Sequence, residues 1–221
     1  MNKAELANLI DHTNLHPHDT EEDIVKLCEE AIEHEFKSVC VTPYRVPLAM
    51  EELKNSKVMV DTVIGFPLGS SPTISKTNEA RWVLENGADE IDMVMNIAAF
   101  KDKDYEFVEN DIKSVVDVSK KFDAITKVII ETCYLNDSEI RKACDIAEKA
   151  NADFVKTSTG FGDSGAKVED IKIMDAEIGG KLGIKASGGI KNFQQAKSMI
   201  EAGATRIGAS SGVKIVSGVK N

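Results

Sequence analysis

Short apolar runs alternate with longer amphipathic stretches along the whole chain. The apolar runs are rich in valine and isoleucine, and the longer stretches place apolar side chains three or four positions apart. The first pattern predicts buried strands and the second predicts helices packed on them. We predict eight strands, at 8–13, 37–43, 58–67, 89–96, 127–132, the start of 152–161, 183–189 and 205–212.

A helix is predicted after each of these strands. The helices cover 20–35, 46–55, 74–86, 105–121, 136–150, 168–178, 193–202 and 213–219, and Thr20 suits the first N-cap. Alternating units predict a parallel sheet, and eight of them in 221 residues predict a closed (β/α)₈ barrel, an α/β fold with 1–221 as one domain. The alternative is a doubly wound sheet, which would favour a G-x-G-x-x-G motif after the first strand; that motif is absent.

The composition and net charge of the chain exclude some classes of binding partner. The chain is 42% hydrophobic and has no run near the roughly 20 apolar residues of a membrane span. The N-terminus has no apolar segment of the secretory type, and four widely spaced cysteines without a C-x-x-C pair indicate a reduced, cytoplasmic protein. A net charge of −10 argues against nucleic acid or an anionic membrane as partner. A phosphorylated small molecule would therefore need local positive groups.

Charged residues interrupt several apolar strands: Asp11, Asp92, Glu131, Lys156 and Lys185. Asp92, Lys156 and Lys185 each sit between apolar or small neighbours, so we expect one carboxylate and two ammoniums to share the barrel lumen. Two adjacent ammoniums lower each other's pKa, which leaves one amine neutral for Schiff-base chemistry while Asp92 moves protons. The alternatives are a strand-end lysine that reaches solvent and a structural Asp–Lys ion pair.

Turns of small residues follow the last three strands, at 158–160, 187–189 and 208–212. Glycine lets the backbone approach a ligand, and consecutive N–H groups and hydroxyls bind anions. The loops after the last two strands are the common phosphate site of barrel enzymes. Ordinary strand-to-helix turns are the alternative. The candidate phosphate-binding residues are Gly160, Ser187, Gly188, Gly189, Gly208, Ser210 and Ser211.

Other candidates carry less weight. His12, His16 and His18 cluster near the first strand and could bind a metal, but we favour a surface or structural role because no further ligand motif completes them. Cys40 points either into the lumen or into the core. Glu131 either orients a lysine or anchors a loop.

Seven motifs spread over nearly the whole chain resemble those of the deoxyribose-phosphate aldolase family. They are Leu9-Ile-Asp-His-Thr13, Val63-Ile-Gly-Phe-Pro-Leu-Gly69, Glu90-Ile-Asp-Met-Val-Met-Asn96, Lys127-Val-Ile-Ile-Glu-Thr132, Val155-Lys-Thr-Ser-Thr-Gly-Phe161, Lys185-Ala-Ser-Gly-Gly189 and Arg206-Ile-Gly-Ala-Ser-Ser-Gly212. The resemblance implies a cytoplasmic class I aldolase that reversibly cleaves 2-deoxy-D-ribose 5-phosphate to acetaldehyde and D-glyceraldehyde 3-phosphate.

The resemblance also implies roles for individual residues. Lys156 would form the Schiff base, Asp92 would donate and accept protons, and Lys185 would tune Lys156 and share the relay. Asp11 and Cys40 fall where the family has a supporting aspartate and a pocket cysteine. The family uses neither a cofactor nor a metal, and we expect a homo-oligomer, either a dimer or a tetramer.

Three departures from the family pattern affect these expectations. His16 stands where a lysine is more usual, and Phe161 stands where one branch has a lysine, so phosphate binding should depend more on backbone amides. The sequence ends at Asn221 without the C-terminal tyrosine that some members use, so we expect proton exchange to rely on Asp92 and water.

Two rival functions remain open at this stage. A transaldolase-like class I enzyme would use the same lysine with a different donor. A barrel that binds sugar phosphates without catalysis would form no reducible imine.

Overall fold

The computed structural model describes residues 1–219 and contains one closed barrel of eight parallel strands. The strands are β1 (Ile10–Asn14), β2 (Ser38–Val41), β3 (Met59–Ile64), β4 (Glu90–Val94), β5 (Ile125–Ile129), β6 (Phe154–Lys156), β7 (Gly183–Ser187) and β8 (Arg206–Ala209). Each strand pairs with the next, and β8 pairs with β1. The predicted (β/α)₈ architecture is confirmed.

Helices surround the barrel. They are α1 (Lys3–Ala7), α2 (Glu21–Glu33), α3 (Val46–Leu53), α4 (Thr73–Glu85), α5 (Ile97–Lys101), α6 (Tyr105–Ser119), α7 (Asp137–Lys149), α8 (Val168–Ile178), α9 (Phe193–Glu201) and α10 (Gly212–Ser217). Within the described range, none of them is both long and apolar enough to cross a membrane.

The main core lies between the strands and the helices. Outward residues of the strands, such as Ile91 and Met93 on β4, are fully buried against the helix layer. A second, smaller apolar cluster of Leu15, Cys40 and Val63 lies apart from that core. Parallel strands covered on both faces explain why the strand segments read as nearly continuous apolar runs.

Polar caps start the helices where the sequence indicates them. Thr20 caps α2 in a capping box with Asp23, as predicted, and Asn136 caps α7 in a capping box with Glu139. These side chains satisfy N–H groups that have no partner inside the helix. The loops at the carboxyl ends of β1 and β5 therefore end at fixed positions.

The structure corrects some predicted boundaries. Helices α1 and α5 were not predicted, because five-residue helices carry too short an amphipathic pattern. Strand β5 covers Ile125–Ile129 rather than 127–132, since Glu131 adopts a left-handed conformation (φ 53°) that turns the chain into a 3₁₀ helix at Thr132–Tyr134. The prediction about the chain end at Asn221 lies outside the described residues. That 1–221 forms one domain stays a prediction.

Candidate active site

The three charged side chains predicted to meet in the lumen lie together there. Lys156 Nζ is 2.7 Å from Asp92 Oδ2, and Lys185 Nζ is 2.6 Å from the same oxygen. Asp92 and Lys185 are fully buried, whereas Lys156 is 3% exposed. One carboxylate oxygen of Asp92 therefore accepts hydrogen bonds from two amines.

Strand alternation explains why these side chains face inward. On β4, the neighbours of Asp92 pack against the helices, so Asp92 itself faces the barrel axis. Strands β6 and β7 pair with Lys156 beside Lys185. Lys156 is the last residue of β6, which places its amine toward the carboxyl-end mouth of the barrel.

The lumen holds more charge than the sequence analysis expected. Instead of one carboxylate and two ammoniums, four carboxylates and four cations form one network: Asp11, Asp61, Glu90, Asp92, Lys127, Lys156, Lys185 and Arg206. We call these eight residues the lumen network. Its carboxylates come from β1, β3 and β4, and its cations come from β5 to β8.

Lysines 185 and 127 connect the centre of the lumen network. Lys185 Nζ lies 2.6 Å from Asp11 Oδ2, 2.8 Å from Asp61 Oδ2 and 2.6 Å from Asp92 Oδ2. Lys127 Nζ approaches the other oxygens of Asp61 and Asp92, at 3.1 and 2.9 Å. Two carboxylates and two ammoniums thus form a closed ring.

Arg206 connects Asp11 to Glu90 within the lumen network. Its Nε donates to Asp11 Oδ1 at 2.9 Å, and its Nη2 donates to Glu90 Oε2 at 2.8 Å. Ser38 Oγ on β2 also donates to Asp11, and Lys127 Nζ lies 2.6 Å from Glu90 Oε2. All eight strands therefore contribute to one continuous set of polar contacts.

Four members of the lumen network were missed as site residues. Asp61 sits between Val60 and Thr62 in the same form as the three charges that were recognised, so its sequence signal was present. Glu90, Lys127 and Arg206 lie at or next to the first residues of their predicted strands, where charged residues usually reach solvent. In this barrel they lie in the lumen, and all three are 4% exposed or less.

Charged neighbours shift the pKa values of Asp92 and Lys185 in opposite directions. Burial alone would raise the pKa of Asp92, but Lys127, Lys156 and Lys185 hold it well below its usual value. Burial would lower the pKa of Lys185, but Asp11, Asp61 and Asp92 raise it well above its usual value. The expectation that the two lysines lower each other's pKa is therefore wrong for Lys185, because three carboxylates outweigh one ammonium.

A cavity of about 180 Å³ opens above the lumen network. Lys156 is the only network residue that lines it among the residues that the structure describes. Six of the seven candidate phosphate-binding residues line the same cavity: Gly160, Ser187, Gly188, Gly189, Gly208 and Ser210. Ser211 does not line it and lies in the turn before α10.

Two basic side chains at this cavity were not predicted to bind a ligand. His16 and Lys191 both line it, and both are exposed. His16 stacks on His18 with ring centroids 5.4 Å apart. His12 is buried elsewhere and its Nε2 lies 2.7 Å from Glu30 Oε2, so the three histidines do not converge. The path of the loops, which the sequence pattern does not reveal, brings His16 and Lys191 to one cavity.

Close backbone contact shapes the cavity wall. Gly188 adopts φ 83°, and a Cβ at Gly165 would lie 2.1 Å from the Gly188 carbonyl oxygen. The N–H of Ala166 donates to the carbonyls of Ser187 and Gly188, at 3.0 and 3.1 Å. The loops after β6 and β7 therefore support each other directly, with no space for a side chain between them.

Glu131 and Cys40 occupy distinct supporting positions. The Glu131 carboxylate is buried and accepts from the Thr159 N–H at 3.2 Å and from its hydroxyl. Glu131 thus anchors the loop after β6 rather than orienting a lysine. Cys40 is fully buried in the small cluster with Leu15 and Val63, and burial together with Asp61 raises the pKa of its thiol.

Two groups of lumen side chains have donor atoms close enough to hold a metal ion. One group is Cys40, Asp61 and Asp92, and the other is Asp11, Asp61 and Glu90. The carboxylates of both groups already contact ammonium or guanidinium groups of the lumen network. Protein cations thus already neutralise the charge that would attract a metal ion.

Comparison of the whole chain with known proteins identifies its enzyme family. A model of the DeoC/LacD family aldolases matches residues 6–218. The chain belongs to the DeoC/LacD aldolase family. The deoxyribose-phosphate aldolase of Thermococcus kodakarensis is 60% identical, covering 99% of this chain and 98% of that protein. The deoxyribose-phosphate aldolase of Clostridium perfringens is 54% identical, covering 99% and 97%.

A solved structure of the same family has the same fold. The deoxyribose phosphate aldolase of Aeropyrum pernix, described as a unique tetrameric structure, superposes with a TM-score of 0.93. It is 34% identical, and the match covers 98% of this chain and 91% of that one. The family model and the similar relatives confirm the predicted family and the predicted class of enzyme, an aldolase. The similar solved structure agrees with the predicted barrel. The roles of the individual site residues remain proposals.

Proposed function

We propose that this DeoC/LacD family member is a class I aldolase that reversibly cleaves 2-deoxy-D-ribose 5-phosphate to acetaldehyde and D-glyceraldehyde 3-phosphate, in the catabolism of deoxyribonucleosides. One observation carries the proposal: Lys156 is the single amine of the lumen network that opens onto the cavity. A nearly buried lysine with a second ammonium group, that of Lys185, on the neighbouring strand is suited to nucleophilic attack on a carbonyl. The names of the similar relatives support the same substrate.

In the proposed mechanism, the neutral amine of Lys156 adds to the sugar carbonyl. Loss of water gives an iminium, which withdraws electrons from the adjacent carbon–carbon bond. Asp92, 2.7 Å from Lys156 Nζ, takes the proton of the C3 hydroxyl with Lys185 beside it. Cleavage releases D-glyceraldehyde 3-phosphate and leaves an enamine, which is protonated and hydrolysed to acetaldehyde.

The lumen network suits the charge of the iminium. A protonated Lys156 balances the four carboxylates together with the other three cations. An iminium on Lys156 carries the same charge in the same place. The lumen is therefore organised in advance for the intermediate, which reduces the reorganisation needed during the reaction.

Asp92 is the carboxylate partner of Lys156. We propose that the phosphate group binds at the side of the cavity that is away from Asp92. Gly188, Gly189 and Ser210 offer backbone and hydroxyl donors there, and Lys191 adds positive charge. These local groups overcome the long-range repulsion that a net charge of −10 exerts on an anion. We assign this wall of the cavity as the phosphate site.

Reductive trapping tests the proposal. Acetaldehyde followed by borohydride should add a two-carbon group at Lys156, read by peptide mass spectrometry. Lys156→Ala should lose the adduct, and Lys172→Ala, which changes an exposed lysine on α8, should keep it. An adduct on another lysine, or none, would refute the assignment. Since the mechanism uses no metal, EDTA should leave the rate unchanged.

A donor screen separates the proposal from its rivals. We expect acetaldehyde to act as donor with D-glyceraldehyde 3-phosphate, and dihydroxyacetone to fail. A transaldolase-like enzyme would give the reverse result. A barrel that only binds sugar phosphates would be stabilised by them against heat and would give no reducible imine.

Assembly and location complete the proposal. We propose a homo-oligomer in the cytoplasm, with small phosphorylated sugars and aldehydes as its ligands. Four free thiols support a reducing compartment, and large apolar side chains exposed outside the cavity, such as Trp82 and Phe107, support subunit contacts. Light scattering on the purified protein gives the subunit number, and a monomeric mass would contradict the assembly.

A further inference from the structure

The charge balance of the lumen network depends on the proton of Lys156. Its four carboxylates and four cations balance when Lys156 is charged. Attack on a carbonyl needs an uncharged Lys156, which would leave the buried network with one excess negative charge. An uncompensated charge in a buried site is costly, so the proton released by Lys156 needs a place inside the lumen.

Asp61 is positioned to receive that proton. Its Oδ2 lies 2.8 Å from Lys185 Nζ, and Lys185 Nζ lies 2.6 Å from Asp92 Oδ2. Asp92 Oδ2 in turn accepts from Lys156 Nζ at 2.7 Å. A chain of hydrogen bonds therefore connects Lys156 to Asp61 through Asp92 and Lys185, and all four side chains are buried.

We propose that Asp61 is a positioning residue that holds the proton of Lys156 in the free enzyme, where the amine is neutral, and passes a proton through Lys185 and Asp92 to the hydroxyl that leaves as water when the imine forms. The inference rests on the proposed function, because it assigns a role within imine formation at Lys156. Asp61 does not line the cavity, and it acts only through its neighbours.

The proton transfers balance. Lys156 attacks the aldehyde as an amine while Asp61 is a carboxylic acid, giving a neutral carbinolamine. The carbinolamine hydroxyl then leaves as water, taking the proton that Asp92 supplies, while Lys185 passes a proton to Asp92 and receives one from Asp61. The products are an iminium, water and the Asp61 carboxylate. The lumen network exchanges no proton with solvent in this sequence.

The other carboxylates are held as anions by stronger partners. Asp11 and Glu90 each contact the guanidinium of Arg206, and Asp92 contacts three lysines. Their pKa values are lowered despite their burial. Asp61 contacts Lys185 and Lys127, at 2.8 and 3.1 Å, and among the described residues it contacts neither a guanidinium group nor a third lysine.

The surroundings of Asp61 favour its protonated form. Burial and the Asp92 carboxylate raise the pKa of Asp61 against the opposing effect of Lys127 and Lys185. The titratable groups that face Asp61 come from β1, β2, β4, β5 and β7, and they are Asp11, Cys40, Glu90, Asp92, Lys127 and Lys185.

Proton uptake during imine formation tests the inference. Saturating acetaldehyde is added to weakly buffered enzyme with a pH indicator. In the wild type, uptake per site should be close to zero, because the proton comes from Asp61. In Asp61→Asn, about one proton per site should be taken from solvent, and the apparent affinity for acetaldehyde should fall about tenfold per pH unit as the pH rises.

A matched control separates this role from a structural one. Asp111→Asn removes another buried carboxylate, which contacts Lys76 between α4 and α6 instead of a lysine of the lumen network. Its proton uptake should stay close to zero, whereas a purely structural effect would change both variants alike. Equal uptake by the wild type and Asp61→Asn would overturn the inference, as would uptake of about one proton by the wild type.

A measurement on the wild type covers the case in which Asp61→Asn does not fold. With ¹³C-labelled aspartate, the infrared difference spectrum on adding acetaldehyde should lose the C=O band of a buried carboxylic acid. An unchanged band region would overturn the inference. Borohydride trapping on the same samples keeps the two proposals apart. If wild-type Lys156 forms no adduct, the proposed function fails, and if the adduct forms without loss of the band, only the role of Asp61 fails.

Discussion

Within residues 1–219, two sites bury a lysine against a carboxylate, and they differ in nearly everything else. The lumen network surrounds Lys156 with shared partners and opens onto a cavity. The second site is the pair Lys76–Asp111 between α4 and α6, with Lys76 Nζ 2.6 Å from Asp111 Oδ2 and both side chains fully buried. There Lys76 also donates to the Val94 carbonyl at 3.0 Å, and Thr73 donates to Asp111.

The comparison teaches that burial of a lysine does not by itself indicate catalysis. Burial lowers the pKa of Lys76, against the opposing effect of Asp111, so Lys76 resembles an activated nucleophile on that criterion. Lys76 does not line the cavity onto which Lys156 opens. It connects α4 to the end of β4 and to α6. Access to a ligand and a carboxylate shared with a second amine distinguish Lys156.

The largest expected difference between the two sites is in turnover. Lys156→Met should reduce kcat by at least about 10⁴-fold, because the covalent intermediate is lost. Lys76→Met should keep kcat per folded molecule within a few-fold. Steady-state assays of retro-aldol cleavage, corrected for the folded fraction by circular dichroism, check both. A strong loss of kcat in folded Lys76→Met would remove the distinction.

The free energy of unfolding should depend more on the Lys76–Asp111 pair than on Lys156. Lys76→Met leaves Asp111 buried without its ammonium, which should lower the free energy of unfolding by about 3–5 kcal/mol. Adding Asp111→Leu removes the unpaired charge and should recover most of that loss. Chemical denaturation of the single and double variants measures this. If the double variant is no more stable than the single one, the unpaired carboxylate is not the cause.

The pH dependence of stability should come from the lumen network. The pKa of Asp92 is lowered on folding, so its stabilisation is fully present above its ordinary value of 3.8 and is lost as the pH falls through the folded value. In that acid range, Asp92→Asn should reduce the slope of the unfolding free energy by up to about 1.4 kcal/mol per pH unit. Denaturation at a series of pH values checks it, with the exposed variant Asp117→Asn as control. An unchanged slope in Asp92→Asn would contradict the assignment.

The smallest effect is expected at the rim of the cavity. Lys191→Met should raise KM for the phosphorylated sugar about tenfold and leave kcat nearly unchanged, since one charge-assisted contact to phosphate is lost. Lys197→Met, on α9 and away from the cavity, should change neither constant. Equal KM values for the Lys191 variant and the wild type would move the phosphate site away from this wall.

The sequence allowed much of the fold to be predicted, because eight apolar runs followed by amphipathic helices suit few architectures. Asp92, Lys156 and Lys185 were recognised because a charge inside an apolar strand has few explanations in a parallel barrel. Their convergence follows from alternation alone, since one face of every strand points to the axis.

The missed residues depend on information that a local pattern does not contain. Glu90 and Arg206 are the first residues of their strands, where the sequence alone does not distinguish the lumen from solvent. They are buried because they pair with each other across the barrel, at 2.8 Å. His16 and Lys191 come from loops that are 175 positions apart in sequence and meet only through barrel closure.

The distribution of charge along the chain has a consequence for how the barrel closes. All four carboxylates of the lumen network come from the first four strands, and all four cations come from the last four. Each half of the barrel therefore presents an inner wall of a single sign, which repels itself until the other half arrives. The two halves act as electrostatic complements, so a nascent chain gains this attraction only after its C-terminal strands have been synthesised.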